Sequence, residues 1–313
     1  MGIMALYNHL SALPSLQRTV LVVGPEPDLA SQVSSTLPGW TIERAGNNHE
    51  ALKAAETRAF DLIVTGENTS GKADVELLRE IRRVWPHTRL IILTNESTPS
   101  DVIASMRERA FSYFSKPFSP SSFAAMIRLA TQEQCWDDGI EVIKATPEWI
   151  QIAARCDKKT ADRLLQFFRE IIDLPESERD AVAYAFSEML MNAVEHGGKL
   201  DPTKYVEISY VRARHAVMCR IKDPGEGFCL EELQHAAIAN PPHDPLRHQA
   251  HRDAKGLRPG GFGMLITLNL VDELIYGEQR NEVLLIKYLD LAKQVDWMRT
   301  KAKWNANKPS ESI

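Results

Sequence analysis

Residues 20–29 read VLVVGPEPDL: an unbroken apolar run, a Gly-Pro turn, and the acid-flanked start of a helix. Four consecutive apolar residues, three of them valine, have no polar side to turn outward. Such a strand belongs inside a sheet that is covered on both faces. The same unit recurs downstream. WTIERA (40–45) precedes NHEALKAAETRA (48–59), and FDLIVTG (60–66) precedes ADVELLREIRRVW (73–85). TRLIILTN (88–95) precedes SDVIASMRERA (100–110), and FSYFSKPF (111–118) precedes SSFAAMIRLATQE (121–133). Five strand-then-helix units predict a parallel α/β sheet with helices on both sides.

The rhythm changes after the polar QEQCWDDG (132–139), where the domain boundary is expected. IEVIKA (140–145) and WIQIAAR (149–155) alternate like paired antiparallel strands. Two helical stretches follow, KKTADRLLQFFREII (158–172) and ESERDAVAYAFSEMLMNAVEH (176–196), joined by the turn DLPE. Then come the strands YVEISYV and HAVMCRIKD, a long irregular stretch, the helix-like GMLITLNLVDEL (263–274) and the last strand EVLLIKYL. Helices grouped against an antiparallel sheet predict an α+β layer. The expected organisation is one domain over 18–133, a second over 139–290, and a polar, basic tail over 291–313.

Composition sets the outer limits. The chain of 313 residues is 44% hydrophobic and 25% charged, as in soluble globular proteins. A formal net charge of -5, spread along the chain, gives no electrostatic footprint for nucleic acid. No window approaches the roughly 18 consecutive apolar residues of a spanning helix. The first sixteen residues carry neither Lys nor Arg, so no signal peptide is expected. The four cysteines, Cys135, Cys156, Cys219 and Cys229, form no CxxC pair and fit a reducing compartment. A cytoplasmic protein with no membrane association is the expectation.

Three motifs in the second part point to a nucleotide. In SEMLMNAVEHGG (187–198), Glu188 and Asn192 are four apart and share a helix face. Val182, Phe186, Met189, Leu190 and Val194 cover the faces toward the core. An amide oxygen on Asn192 suits magnesium, and Glu188 can take a proton from a hydroxyl or orient a water. Taken alone, the pair also reads as an exposed Glu–Asn couple on an amphipathic helix. In IKDPGEGF (221–228), Asp223 ends a strand and can accept a hydrogen bond from an exocyclic amine such as that of adenine. Gly225 and Gly227 let backbone approach a flat ring, although DPG is also ordinary turn chemistry. In GLRPGGFGMLITLNL (256–270), Gly256, Gly260, Gly261 and Gly263 precede a helix whose N-terminus favours phosphate, and Arg258 can add a charge-assisted contact. No GK[ST] follows, so this is not a Walker loop.

Residues 18–133 resemble the response-regulator receiver family, a flavodoxin-like fold. Members of that family begin with an acid-rich DDEPDL where this chain has GPEPDL (24–29), so Gly24 and Pro25 replace both metal-binding acids and Glu26 remains. Gly66 holds the phosphoacceptor position, leaving no phosphoacceptor. Thr94 and Lys116 stand at the family's switch hydroxyl and phosphate-binding lysine. Glu67 is read as lying in a strand that points it away from that position, and Lys116 as a surface lysine at a turn. Asp-phosphate chemistry is therefore not expected.

Residues 139–290 resemble the GHKL (Bergerat-fold) ATPases: gyrase, heat-shock chaperones, histidine kinases and mismatch-repair proteins. The resemblance implies ATP and Mg2+ as ligands, with Asn192 on magnesium and Asp223 on adenine. It assigns Gly225 and Gly227 to the first glycine box and Gly261 and Gly263 to the second, with Gly260 and Arg258 beside it. SEMLMNAVEHG with DPGEGF and RPGGFGM looks most like the anti-sigma-factor serine kinases, in which the glutamate at the position of Glu188 is the general base. His196 is the histidine that group carries, and its role here is read as structural. Asn281–Glu282 replaces the Gly-Thr pair that relatives use near adenine. PPHDPLRHQAHRDAKG (241–256) is the expected phosphate lid, with Arg247, Arg252 and Lys255 within reach of phosphate. Its His243, His248 and His251 lack a fourth ligand at zinc-like spacing.

The implied protein is a serine/threonine kinase of anti-sigma type whose partner is a sigma factor or an anti-sigma antagonist. The receiver would serve for docking or for forming a homodimer. The alternatives are a non-catalytic ATP-holding module that sequesters such a partner, and a histidine-kinase-like core.

Overall fold

The structure, a computed structural model, describes residues 18–132, 137–228, 236–241, 243–254 and 261–289. The chain divides into two compact units, Met1–Asp137 and Asp138–Ile313. Among the described residues no helix is long and apolar enough to cross a membrane.

In the first unit five parallel strands alternate with five helices: β1 (Thr19–Val23), α1 (Pro27–Thr36), β2 (Thr41–Ala45), α2 (Asn48–Thr57), β3 (Leu62–Thr65), α3 (Gly71–Val84), β4 (Arg89–Thr94), α4 (Pro99–Arg107), β5 (Ser112–Ser115) and α5 (Pro120–Thr131). The strand order is β2-β1-β3-β4-β5, with Val20 opposite Leu62 and Val22 opposite Val64. This is the flavodoxin-like parallel sheet that the apolar runs predict. Val20, Val22, Val64 and Leu93 turn to the same core as Leu29 and Val33 of α1 and Phe123 and Ile127 of α5. Each such side chain, fully buried, contributes about 1.5–3 kcal/mol. Proline opens α1, α4 and α5, where its missing N–H costs nothing. Thr98 and Asp101 close a capping box on α4.

The second unit holds β6 (Ile140–Thr146), β7 (Trp149–Arg155), α6 (Lys158–Ile171), α7 (Glu176–Asn192), β8 (Tyr205–Arg212), β9 (Ala216–Lys222), α8 (Arg247–Ala254), α9 (Gly263–Leu270), β10 (Glu273–Tyr276) and β11 (Glu282–Tyr288). Its antiparallel sheet runs β10-β11-β9-β8-β7-β6. Alternate residues Ile150, Ile152, Val206, Ile208, Val217 and Ile221 are buried, as in a sheet with helices on one face. Phe168 of α6 stacks on Phe186 of α7 at 3.6 Å between centroids, and Tyr210 of β8 meets Phe168 edge-on. Val182, Phe186, Met189, Leu190 and Val194 are all buried as their spacing requires. Arg163 is 1% exposed, its guanidinium donating to the Asp138 carboxylate at 2.6 Å and to the Asp138 carbonyl at 2.5 Å.

Two elements differ from the sequence reading. The stretch 263–274 is not one helix: α9 stops at Leu270, and Glu273–Tyr276 is the edge strand β10. Val271 is extended, and Leu274 lies opposite Leu285 of β11, so strand pairing takes over where the helix ends. The stretch between the glycine boxes, read as irregular, contains α8. This short, very polar helix is seated by the one buried side chain of His248. The His248 backbone N–H donates to Asn240 Oδ1 at 2.9 Å, and its imidazole Nδ1 lies 2.7 Å from Asn240 Nδ2. The Ala237 N–H donates to the Gly261 carbonyl at 2.8 Å, joining the two ends of this excursion.

Candidate functional site

α7 carries Glu188 and Asn192 to one face and continues through a π-helical turn, Ala193–Gly197. Such turns widen a helix locally and recur at functional sites. Here the turn brings Gly197 against the end of β9, where a side chain on Gly197 would overlap the Asp223 carboxylate. Asp223 is fixed at both ends. Its N–H donates to the Asn281 carbonyl at 2.8 Å, and its Oδ1 accepts the Gly225 N–H at 2.8 Å. Burial raises its carboxyl above the usual range, and the Gly225 N–H works in the opposite direction.

The glycines around this carboxylate have separate reasons. Gly227 takes φ +84°, and a Cβ there would run into the Gln279 carbonyl. Gly225 lies so that a Cβ would come 3.0 Å from the Gly197 backbone. Gly263, the first residue of α9, faces Glu188, whose Oε2 fills the space a side chain would take. One turn before Glu188, the Tyr184 hydroxyl is raised by burial and then by the Glu188 charge.

The glycines, Asp223 and Glu188 line one cleft of about 870 Å³, the size range of small-molecule sites. Glu188, Asn192, Asp223, Gly225, Gly227, Gly261 and Gly263 all border it, as does Arg252 of α8. Arg258, Gly260, Gly256 and Lys255 lie outside the described residues. Arg247 begins α8 and is exposed. His196 borders the cleft. Among the bordering residues that escaped the sequence reading are Lys199, Lys204, Tyr276 and Arg280. They sit outside any spaced motif, and only the fold brings them in.

Asn281 enters differently from the Gly-Thr pair it replaces. Its Nδ2 donates to the Gly225 carbonyl at 3.1 Å, so it braces the first glycine turn. Glu282 borders the cleft and is paired with Arg220 of β9. Among the described residues no three His, Cys, Asp or Glu side chains gather as metal ligands. Hard oxygens border the cleft on Asn192 and Glu188 of α7, and on the carboxylates of Glu195, Asp223, Glu226 and Glu282.

The carboxyl end of the first sheet has its own arrangement. Gly24 takes φ +133°, and a side chain on either Gly24 or Gly66 would overlap the Glu26 carboxylate. Glu26 Oε1 accepts from the Asn68 N–H at 3.1 Å and from its amide, while Oε2 is buried without a hydrogen bond. The reading of Glu67 needs correction, while Lys116 is an exposed lysine at a turn as read. β3 ends at Thr65, so Glu67 lies in the following turn, where it pairs with Lys116. Thr94 Oγ1 is engaged with Glu96, donating to its carbonyl at 2.8 Å.

Comparison with known proteins agrees with the two units. Residues 20–128 match the response regulator receiver domain, and residues 153–287 match the histidine kinase-like ATPase domain. Both domains are present in the chain. The probable transcriptional regulatory protein TcrX of Mycobacterium tuberculosis is 32% identical over 112 residues, covering 35% of this chain and 48% of that protein. The hydrogenase transcriptional regulatory protein HoxA of Bradyrhizobium diazoefficiens is 26% identical over 175 residues, covering 54% of this chain and 36% of that protein. The chain thus spans half or less of these relatives. A CheY-like receiver domain protein from Methanospirillum hungatei is 22% identical with a TM-score of 0.34, covering 37% of this chain and 95% of that structure.

Proposed function

We propose that the chain is an ATP-binding signalling regulator whose second domain is a serine/threonine protein kinase of anti-sigma type. The observation that supports this is the convergence of Glu188, Asn192, Asp223 and the glycines of both boxes on one cleft. Asp223 accepts the exocyclic amine of adenine, with Gly225 and Gly227 flanking the ring. Phosphates lie toward Gly261 and Gly263, with Arg252 as a cation from the lid helix. When bound through the Asn192 amide oxygen, magnesium supplies neutralisation of phosphate charge. Glu188 takes the proton of a partner's serine or threonine hydroxyl as that oxygen bonds to the γ-phosphorus. The bond to the bridging oxygen breaks, and ADP leaves.

In this proposal the receiver is a docking or dimerising platform in a cytoplasmic regulator of a sigma factor or its antagonist. Gly66 offers nothing to phosphorylate, and Glu67 already neutralises Lys116. A second reading, a module that holds ATP without transferring phosphate, draws support from Asn281–Glu282, where Asn281 braces the Gly225 carbonyl and Glu282 is held by Arg220.

The deciding experiment compares wild type with Glu188→Gln. Unchanged ATP affinity with phosphotransfer lowered about 10²–10⁴-fold fits a general base. ATP binding with no transfer to any serine or threonine partner in the wild type would favour the holding module.

A further inference from the structure

We infer that Gly263 is a positioning residue for Glu188: the side chain it lacks leaves the berth that holds the carboxylate. The inference rests on the reading of Glu188 as the base and extends it to a residue on another helix. A Cβ built on Gly263 would overlap Glu188 Oε2, with Cδ at 3.1 Å and Cγ at 3.7 Å. Gly263 is not among the glycines with positive φ, so its conformation does not call for glycine. It is the first residue of α9, where alanine would favour the helix more. Space for the carboxylate accounts for glycine here, and neither helix propensity nor backbone geometry does.

The arrangement confines Glu188 at the start of α9. α9 packs on α7 and closes one side at Gly263. Tyr184, one turn earlier on α7, carries a hydroxyl that senses the Glu188 charge. A base held in this way meets the incoming hydroxyl without searching among rotamers, and misplacing such a group by about 1 Å can cost 10²-fold in rate.

The test is Gly263→Ala in the full chain. The obstructing atom is the tip of a flexible side chain, so alanine displaces the carboxylate and leaves the backbone N–H where it is. At saturating Mg-ATP, turnover should fall about 10²-fold, a loss larger than any change in nucleotide affinity. Adding Glu188→Asp, one methylene shorter, should restore about tenfold of the lost turnover. The side-chain carboxyl ¹³C signal of Glu188, assigned through Glu188→Gln, should move in Gly263→Ala.

Unchanged turnover with an unmoved carboxyl signal overturns the inference. So does a loss of ATP affinity as large as the loss of turnover, because Gly263 would then serve the nucleotide directly. If the wild type transfers phosphate to no serine or threonine partner, the kinase reading falls by itself and the carboxyl signal decides the placement. A moved signal then upholds Gly263 as the berth, and an unmoved one sinks it.

Discussion

Gly197 and the carboxylate of Asp223 adjoin so closely that no methyl group fits between them. The two residues belong to different elements, the π turn after α7 and the end of β9, and only glycine lets them touch. Gly197→Ala should therefore push the carboxylate off its bond to the Gly225 N–H. Calorimetry with Mg-ATP should show affinity lowered by tenfold or more, about 1.4 kcal/mol. Unchanged affinity would mean that Asp223 does not read the base from this position.

Asp223→Asn keeps an oxygen for the Gly225 N–H but replaces the remaining acceptor with an amide donor. Against the exocyclic amine of adenine, the cost should be about 1–3 kcal/mol, the penalty of a mismatched polar contact in a half-buried site. ATP affinity should drop about 10–100-fold, and the preference over GTP should narrow. An ATP preference that survives intact would place base recognition elsewhere.

In the first unit, Asp74 is fully buried at the start of α3, accepting from Asn48 Nδ2 at 2.8 Å and Thr69 Oγ1 at 2.8 Å. Burial pushes its carboxyl up from 3.8 to about 6, although hydrogen bonds from Asn48, Thr69 and Thr65 favour the ionised form. A raised folded-state value means that the native protein binds the proton more tightly than the unfolded chain. The stabilisation is fully present below about pH 4 and is lost as pH rises through about 6, amounting to about 3 kcal/mol. Asp74→Asn should flatten the pH dependence across that window and raise stability at pH 7.5 by about 1–3 kcal/mol. Hydrogen exchange of the α3 amides against pH would check it, and a variant less stable than wild type at pH 7.5 would refute it.

A carboxylate placed at Gly66 alone should not make a phosphoacceptor. In Gly66→Asp, the new Cβ meets the Glu26 carboxylate and lies 2.8 Å from the Val23 carbonyl, which belongs to the backbone and cannot swing aside. The expected cost is about 1–3 kcal/mol of stability, with no labelling by acetyl phosphate. Labelling of the single variant would show that the cavity is open to this chemistry.

The strands of the first unit were readable because burial on both faces demands unbroken apolar runs, and LIVT or LIILT can hardly serve otherwise. β10 was not readable: in LVDELIY the same residues suit a helix or a strand, and pairing with β11 decides. α8 was hidden for the opposite reason, since RHQAHRDA has no apolar stripe and depends on the single anchor His248. Within the site, the motif residues could be placed by spacing. Gly197 and Gly263 had reasons that spacing does not carry, because each makes room for a carboxylate on another element. Arg163 likewise reads as one more surface cation of an amphipathic helix, yet it is buried on Asp138.

The hydrogen bond from Ala237 to Gly261 makes the segment that carries α8 an excursion that leaves and returns at one point. Closing a longer loop adds only about 0.6 kcal/mol per doubling of its length. What lies between the two clasped residues can therefore be lengthened, shortened or exchanged as a cassette, with Asp223 and Glu188 undisturbed. In the proposed kinase, the reach of this segment, and with it the choice of partner, is then free to diverge while the residues beneath stay the same.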